Sequence, residues 1–335
     1  AVVHDADGLS EDAMGRFAAE TNLSETTFVQ SPTAAGADYP SRPVTVVVPF
    51  GPGGSADVYG RFLAQRLQEV LGQPFVVENR PGAGAQIGTQ MVAKAAPDGY
   101  TLLVMSNTHT VNETLVPNRP YNLTRDFVPV APINDAPLVL VANEAFAAKN
   151  LKELIEAAKQ APGKLNYASS GTGTPYHIAG ELLNSMAGIK VQHVPYKSSG
   201  QARTAVVGGE VNYMFDAIAT MAQLVQANRV RALATTGAKR SPVLPDVPTM
   251  EEAGLPGYRA NIWLGVLAPA GTPREIVEKL NAAIGKIVGA EDVRAAWAKD
   301  GVEPMVMGTA EFADYLKADI ERLGRVVKEA NMRVE

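Results

Sequence analysis

The sequence predicts an α/β protein of two lobes with a ligand cleft between them. Three observations carry this expectation. From residue 43 onward, short apolar runs alternate with segments of helical periodicity, as in sheets of parallel strands covered by helices. Turn chemistry separates the units, at Pro81-Gly82, Pro97-Asp98-Gly99, Pro162-Gly163, Gly208-Gly209 and Pro256-Gly257. Two long apolar stretches, PLVLVAN at 137–143 and YRANIWLGVLAP at 258–269, read as strands that cross from one lobe to the other. Two crossings make the first lobe discontinuous, 39–138 with 266–335, and leave 139–265 as the second. Small-molecule sites commonly lie at such a junction.

The elements follow in order. The β-branched run Val44 to Val48 is a strand that breaks at Pro49. A glycine loop leads into a helix over 55–71, whose apolar side is read from Val58, Phe62, Leu63, Leu67 and Val70-Leu71. Further strands are expected at 74–78, 101–106, 137–142, 165–168, 191–195, 211–215, 230–235 and 262–268. Further helices are expected at 86–95, 151–160, 175–187, 199–208, 219–227, 249–253, 273–289, 291–300 and 309–331. There is no internal repeat and no low-complexity segment.

Composition excludes several classes of function. The 335 residues leave room for two domains and a sizeable core. A net charge of −5 without a basic block argues against nucleic acid as a partner. With no cysteine, disulfides, thiolate metal sites and cysteine nucleophiles are out. The four histidines, His4, His109, His177 and His193, have no metal-ligand spacing, so neither metal nor cofactor is expected. No run of about 18 apolar residues is present to span a membrane. No basic-then-apolar leader is read, so a signal peptide is not expected in this chain.

Two stretches can carry chemistry. In VVVPFGPGGSADV, residues 46–58, a strand passes through Phe50, Gly53 and Gly54 into a helix that opens with Ser55 and Ala56. Glycine lets a ligand approach the backbone closely, and free N–H groups at a helix start attract an anion. The loop lacks the Lys-Ser/Thr of a nucleotide P-loop and is not G-x-G-x-x-G. A plain strand–helix turn without ligand stays open at this point. YASSGTGTPYH, residues 167–177, repeats the arrangement: Ser170, Thr172 and Gly173 lead to Thr174 as N-cap, with Pro175 at the first helical position and His177 on the first turn. For His177 the alternative is an ordinary packing histidine. Asp216, at a strand end, is read either as a ligand contact or as a helix-start acid. Tyr196 covers the ligand, Ser106-Asn107-Thr108 add polar contacts, Lys197 is solvated and Trp263 belongs to the core. No nucleophile, base and orienting acid assemble, which favours binding over turnover.

These motifs lie within a wider resemblance. YPSRPVTVVVPFGPGGSADV, VVENRPGAGAQIGTQMVAKAAPDGYTLL, LNYASSGTGTPYHIAGELL, VQHVPYKSSGQA, DVPTMEEAGLPGY and W-x-G-V-x-A-P-x-G-T-P follow one another in order through residues 40–335. Together they resemble the Bug-type solute-binding proteins, extracytoplasmic receptors of tripartite tricarboxylate transporters. The resemblance implies a two-domain fold of periplasmic-binding-protein type II and a small organic acid as ligand, held largely by loop backbone and ordered water. It also implies a monomeric, periplasmic receptor that works with membrane transporter subunits. VPYKSSGQA departs from the commoner VPYKGGGPA, with Ser198 in place of a glycine and Gln201 in place of a proline.

Residues 1–38 fall outside that resemblance. AVVHDADGLSEDAMGRFAAETNLSETTFVQSP is similar to the N-terminal piece of phenazine-biosynthesis-like isomerases, with Glu25 matching that family's catalytic acid. The rest of that fold is missing, and the segment reads as an orphan with a helix near Ser10–Thr21. The leading expectation is a receptor for a small carboxylate; the alternatives are an isomerase-like enzyme, resting on Glu25 alone, and a receptor for a neutral or aromatic metabolite.

Overall fold

The computed structural model describes residues 38–334; Glu25 and the expected helix near Ser10–Thr21 lie outside the described residues. Ten strands run in chain order: β1 Val44–Val48, β2 Phe75–Asn79, β3 Thr101–Ser106, β4 Phe127–Asn143, β5 Asn166–Ser169, β6 Gln192–Pro195, β7 Tyr213–Ala217, β8 Val230–Thr235, β9 Asn261–Pro269 and β10 Glu303–Pro304. Eleven helices accompany them among the described residues: α1 Ser55–Leu71, α2 Gln86–Ala93, α3 Asn107–Leu115, α4 Leu123–Asp126, α5 Leu151–Gln160, α6 Pro175–Ala187, α7 Ser199–Gly208, α8 Ile218–Gln226, α9 Arg274–Val288, α10 Glu291–Ala298 and α11 Thr309–Glu329.

One strand belongs to two sheets. β4 pairs with β9 up to Pro137↔Asn261, and its pairing with β7 begins one residue later, at Leu138↔Ala217. The first sheet is ordered β2-β1-β3-β9-β4, and the second continues β4-β7-β5-β6 with β8 also on β4. The purely parallel sheets expected from the alternation are mixed ones. β9 is antiparallel to β3 and β4, and β4 is antiparallel to β7 and β8. The physical reason is direction: β4 leads the chain toward the second sheet, and β9 brings it back alongside. The junction is tied by Thr236, which exchanges two hydrogen bonds of 2.8 Å with Leu138. The Thr236 hydroxyl also donates to Asn261 Oδ1 at 3.1 Å.

Other differences have local causes. β4 starts ten residues before the expected strand, because Pro129, Pro132 and the pair Asn134-Asp135 break the apolar pattern. The strand accommodates them at two register shifts, Pro129/Ala131 and Pro132/Asn134. Helix α3, NTHTVNETL, has an apolar side of only Val111 and Leu115 and is missed, yet Thr108, His109, Thr110 and Asn112 are buried as well. The expected helix at 249–253 is a turn: the Met250 N–H is taken by the Thr235 carbonyl at 2.8 Å, and Gly254 leaves helical space at φ +111°. In α1 the buried side is Tyr59, Gly60, Leu63, Ala64 and Leu67, while Val58 and Val70 are exposed. The stripe is rotated toward the small residues because Gly60 lets the helix settle onto Val48 and Val104.

The C-terminal helices complete the first sheet's core. α9 buries Ile276, Val277, Leu280, Ile284 and Ile287 at helical spacing, and α11 buries Phe312, Leu316, Leu323 and Val327. Within the α11 stripe Asp319 is also buried, but fully used: it accepts from Thr110 Oγ1 at 2.7 Å, Trp263 Nε1 at 2.9 Å and Arg322 at 2.6 Å. Trp263 is thereby fixed in the core. In the second lobe Gly180 of α6 lies flat against the Tyr167 ring; a Cβ there would meet the ring at 2.2 Å. Gly180→Ala is expected to lower unfolding stability by about 1–3 kcal/mol through overpacking, read by urea denaturation. An unchanged midpoint would mean that the ring yields freely.

Candidate functional site

The ends of β1, β2, β3, β5 and β6 feed loops that surround one cavity of about 540 Å³. Five helix starts reach its wall: α1 through Gly54, Ser55 and Ala56, α2 through Gly84 and Ala85, α3 through Ser106, α6 through Thr174, and α7 through Ser198 and Ser199. The first N–H groups of a helix have no intrahelical partner, and each start carries partial positive charge. Three starts, those of α1, α2 and α6, have no side-chain cap on their N–H groups. The Ser106 side chain caps α3 and the Ser198 side chain caps α7. No acidic side chain lines the cavity, and Lys197 is its one basic lining residue. Phe50, Tyr176, Tyr196, Ile262 and several prolines supply apolar wall.

The glycine loop before α1 is braced at both ends. The Gly53 N–H donates to Asp57 Oδ2 at 2.9 Å, and Asp57 Oδ1 accepts from Arg61 and from Asn79. The Gly53 carbonyl accepts from Arg203 Nη2 at 2.7 Å, reaching over from α7. Gly53 has φ +86°, which favours glycine. Beside it the Ser55 hydroxyl is buried without a well-aligned hydrogen bond, and the Tyr176 hydroxyl faces both Ser55 and Ser199. The two lips touch here: a Cβ on Gly51 would lie 2.9 Å from Ser198 Cβ, and one on Gly84 would lie 3.3 Å from the Thr172 carbonyl.

Of the residues singled out in the sequence, Phe50, Gly54, Ser55, Ala56, Ser170, Thr174 and Tyr196 line the cavity. Gly53, Asn107, Thr172, Gly173, His177 and Asp216 do not. Gly53, Thr172 and Gly173 shape the lips, Gly173 packing against Asn112 and Leu115. Asn107 donates to the Asn261 carbonyl at 2.9 Å, at the junction of the sheets. Asp216 is fully buried, its Oδ2 lying 2.9 Å from Arg203 Nε as an ion pair without hydrogen-bond alignment. Burial raises its carboxyl to about 6, against the pull of Arg203.

His177 does not line the cavity. Its Nδ1 accepts the Gly173 N–H at 3.0 Å, and its ring stacks on His193 with centroids 3.7 Å apart. His193 in turn meets Ser169 Oγ at 2.5 Å. Burial, with His193 adding to it, lowers His177 to about 3; burial lowers His193 to about 4. The pair therefore supports the 169–174 loop as neutral rings.

Sequence reasoning missed the loop 81–85 as wall; its Pro-Gly-Ala-Gly-Ala composition was the available signal. It also left Tyr176 and Ser199 unassigned, whereas Ser106, expected among the polar contacts of 106–108, does line the cavity. The departures at 198 and 201 form one unit: Ser198 Oγ accepts the Gln201 N–H at 3.3 Å, and Gln201 Oε1 accepts the Lys197 N–H at 3.2 Å. A proline at 201 has no N–H to offer.

Residues 59–332 match the tripartite tricarboxylate transporter family receptor, TctC. The chain belongs to this family. Its members are solute-binding receptors and not enzymes, and the isomerase resemblance of residues 1–38 finds no support among the relatives. Solved structures similar to this receptor include the following three. R. palustris Rpa4515 with adipate has a TM-score of 0.85 and 35% identity, covering 88% of this chain and 99% of that one. The periplasmic binding protein BugD has a TM-score of 0.83 and 33% identity, covering 89% and 100%. MatC from Rhodopseudomonas palustris with bound malate has a TM-score of 0.80 and 37% identity, covering 86% and 100%. The fold is thus the two-domain one of periplasmic binding proteins. Among the described residues of the receptor, no helix is long and apolar enough to cross a membrane, and no cluster of metal-ligand type occurs.

Gly54 has φ −88° and ψ 175°, which valine adopts without strain, so Gly54→Val is expected to fold normally. Its side chain would crowd Ser199 and the helix start, and ligand affinity is expected to fall about 100-fold, or about 2.7 kcal/mol, by calorimetry. Wild-type affinity would remove the loop from the site. The histidines give a pH signature. A folded pKa below the unfolded value of about 6.5 contributes stability that is present above pH 6.5 and lost as pH falls toward 4. Imidazole NMR signals of His177 and His193 are expected to stay neutral at pH 5; titration near 6.5 would contradict their burial.

Proposed function

We propose that this receptor captures a small carboxylate, preferably a dicarboxylate with an apolar middle, between its two lobes. The observation that carries the reading is the convergence of five helix starts on one cavity without an acidic lining residue. Oriented N–H groups in a partly dry cleft stabilise a carboxylate without arginine. On this reading Gly54, Ser55, Ala56, Ser170 and Thr174 contact the acid, and Phe50, Tyr196 and Ile262 flank its hydrocarbon part. The adipate and malate held by similar receptors agree with that chemistry. The lobes are 39–138 with 266–335 and 139–265, hinging at Leu138, Thr236 and Asn261. The receptor works as a monomer in the periplasm and hands its ligand to the membrane subunits of a tripartite tricarboxylate transporter. The absence of arginine from the lining favours a second reading, a neutral amide or aromatic metabolite.

Thermal shift separates the two readings. Adipate or malate at about 100 times its Kd is expected to stabilise the fold by about 2.7 kcal/mol, while adipamide leaves the melting temperature unchanged. Stabilisation by adipamide and not by the acids would select the neutral ligand. Under saturating acid, small-angle scattering is expected to show a radius of gyration no larger than without it, since ligand favours the closed lips. An expansion would rule out capture by closure.

A further inference from the structure

Arg203 stands out because the cavity does not use it directly. It is not a lining residue, yet it joins the two lobes at the anion cradle. Its Nη2 donates to the Gly53 carbonyl at 2.7 Å, while its Nε lies 2.9 Å from Asp216 Oδ2. Neither that Nε nor that Oδ2 has an aligned hydrogen-bond partner, so the ion pair is what holds the guanidinium in place on the α7 side. Asp216 sits on β7 with its Oδ1 accepting the Ala217 N–H at 2.8 Å, which makes it a rigid anchor.

The consequence lies in the peptide that Arg203 grips. A trans peptide is planar, with its C=O and N–H pointing in opposite directions. The Gly53 carbonyl points to Arg203, so the N–H of the same peptide, on Gly54, points away from it. Gly54 lines the cavity and Arg203 does not. Asp57 holds the other side of Gly53 through its N–H at 2.9 Å. Both peptides flanking Gly53 are therefore held by charged groups, one from each lobe. Two glycines, at 53 and 54, would otherwise leave this loop with the widest choice of backbone conformations.

We propose that Arg203, anchored by Asp216, is a positioning residue that grips the Gly53 carbonyl from across the cleft and turns the Gly54 N–H into the cavity as a carboxylate donor. The proposal rests on the carboxylate reading of the cavity. It assigns Arg203 and Asp216 an effect on affinity without ligand contact, and it couples cradle geometry to contact between the lobes.

The test compares wild type with Arg203→Gln and Arg203→Lys by two measurements. Hydrogen exchange of peptides covering residues 51–57 is followed in ligand-free protein, and adipate affinity is measured by calorimetry. Both variants are expected to exchange at least about tenfold faster over 51–57, with wild-type protection kept at 213–217. Both are expected to raise the adipate Kd at least about tenfold. A purely structural role for the ion pair would loosen 213–217 as well and leave no selective effect on the loop. Arg203→Lys keeps a cation beside Asp216, and so supplies a folded variant if Arg203→Gln fails to fold; lysine lacks the fork that reaches two acceptors at once. Unchanged exchange over 51–57 in a folded variant overturns the proposal, as does a loosened loop with wild-type adipate affinity. If wild type binds adipamide in place of adipate, the carboxylate reading falls, and the exchange measurement still decides whether Arg203 holds the loop.

Discussion

Much of this molecule depends on β4 being shared. Its seventeen residues serve one sheet through Pro137 and the other from Leu138. Because backbone hydrogen bonds continue through the changeover, neither lobe can drift from the other by more than a bend at that point. β9 returns beside it, and Thr236 and Asn261 tie the strands where they cross. The loops at the strand ends are thus held facing each other across a short gap. A cleft whose two walls come from distant parts of the chain becomes reproducible in shape.

Into that gap the fold directs helix starts. Each start alone is a weak attraction for an anion, about 0.3–1 kcal/mol at an exposed surface. On the carboxylate reading, five of them around one partly enclosed cavity, three without a side-chain cap, act on the same charge where solvent screening is reduced. The chemistry costs no buried arginine: a guanidinium in the cavity would need its own counter-charge when empty. The charged groups near the site instead lie behind the wall. Asp57 and Arg203 hold the Gly53 peptides, and Asp216 holds Arg203. Neutral His177 and His193 support the opposing loop without adding charge behind the cavity wall.

Much of the lobe architecture was legible because it is local or periodic. The β1 run and the stripes of α9 and α11 state their partners in their spacing. Both glycine loops were read as anion cradles because glycine admits close approach and a helix start offers N–H groups, with a plain turn left open for the first. What escaped was set by partners far away in sequence. α3 offers only Val111 and Leu115 as apolar residues. Its helix is fixed by the Ser106–His109 cap, by packing of those two apolar residues on Ile178, Leu323 and Val327, and by Asp319, 209 residues from Thr110. The first half of β4 is interrupted by prolines that only the bulged pairing with β9 makes tolerable.

The sequence alone determined that the chain is an α/β protein with two glycine-rich helix starts, and its motifs placed it beside the Bug-type receptors. Those properties depend on side-chain spacing and backbone freedom within a few residues. Tertiary structure decided which polar groups reach the cavity. Asp216 and His177 carry the chemistry of a ligand contact in their type and position, yet one is committed to Arg203 and the other to Gly173. Tyr176, Ser199 and the 81–85 loop gain access to the cavity because the two lobes meet there. Whether a polar side chain meets a ligand or an internal partner depends on what the fold brings within about 3 Å of it, and that is not a local property of the chain.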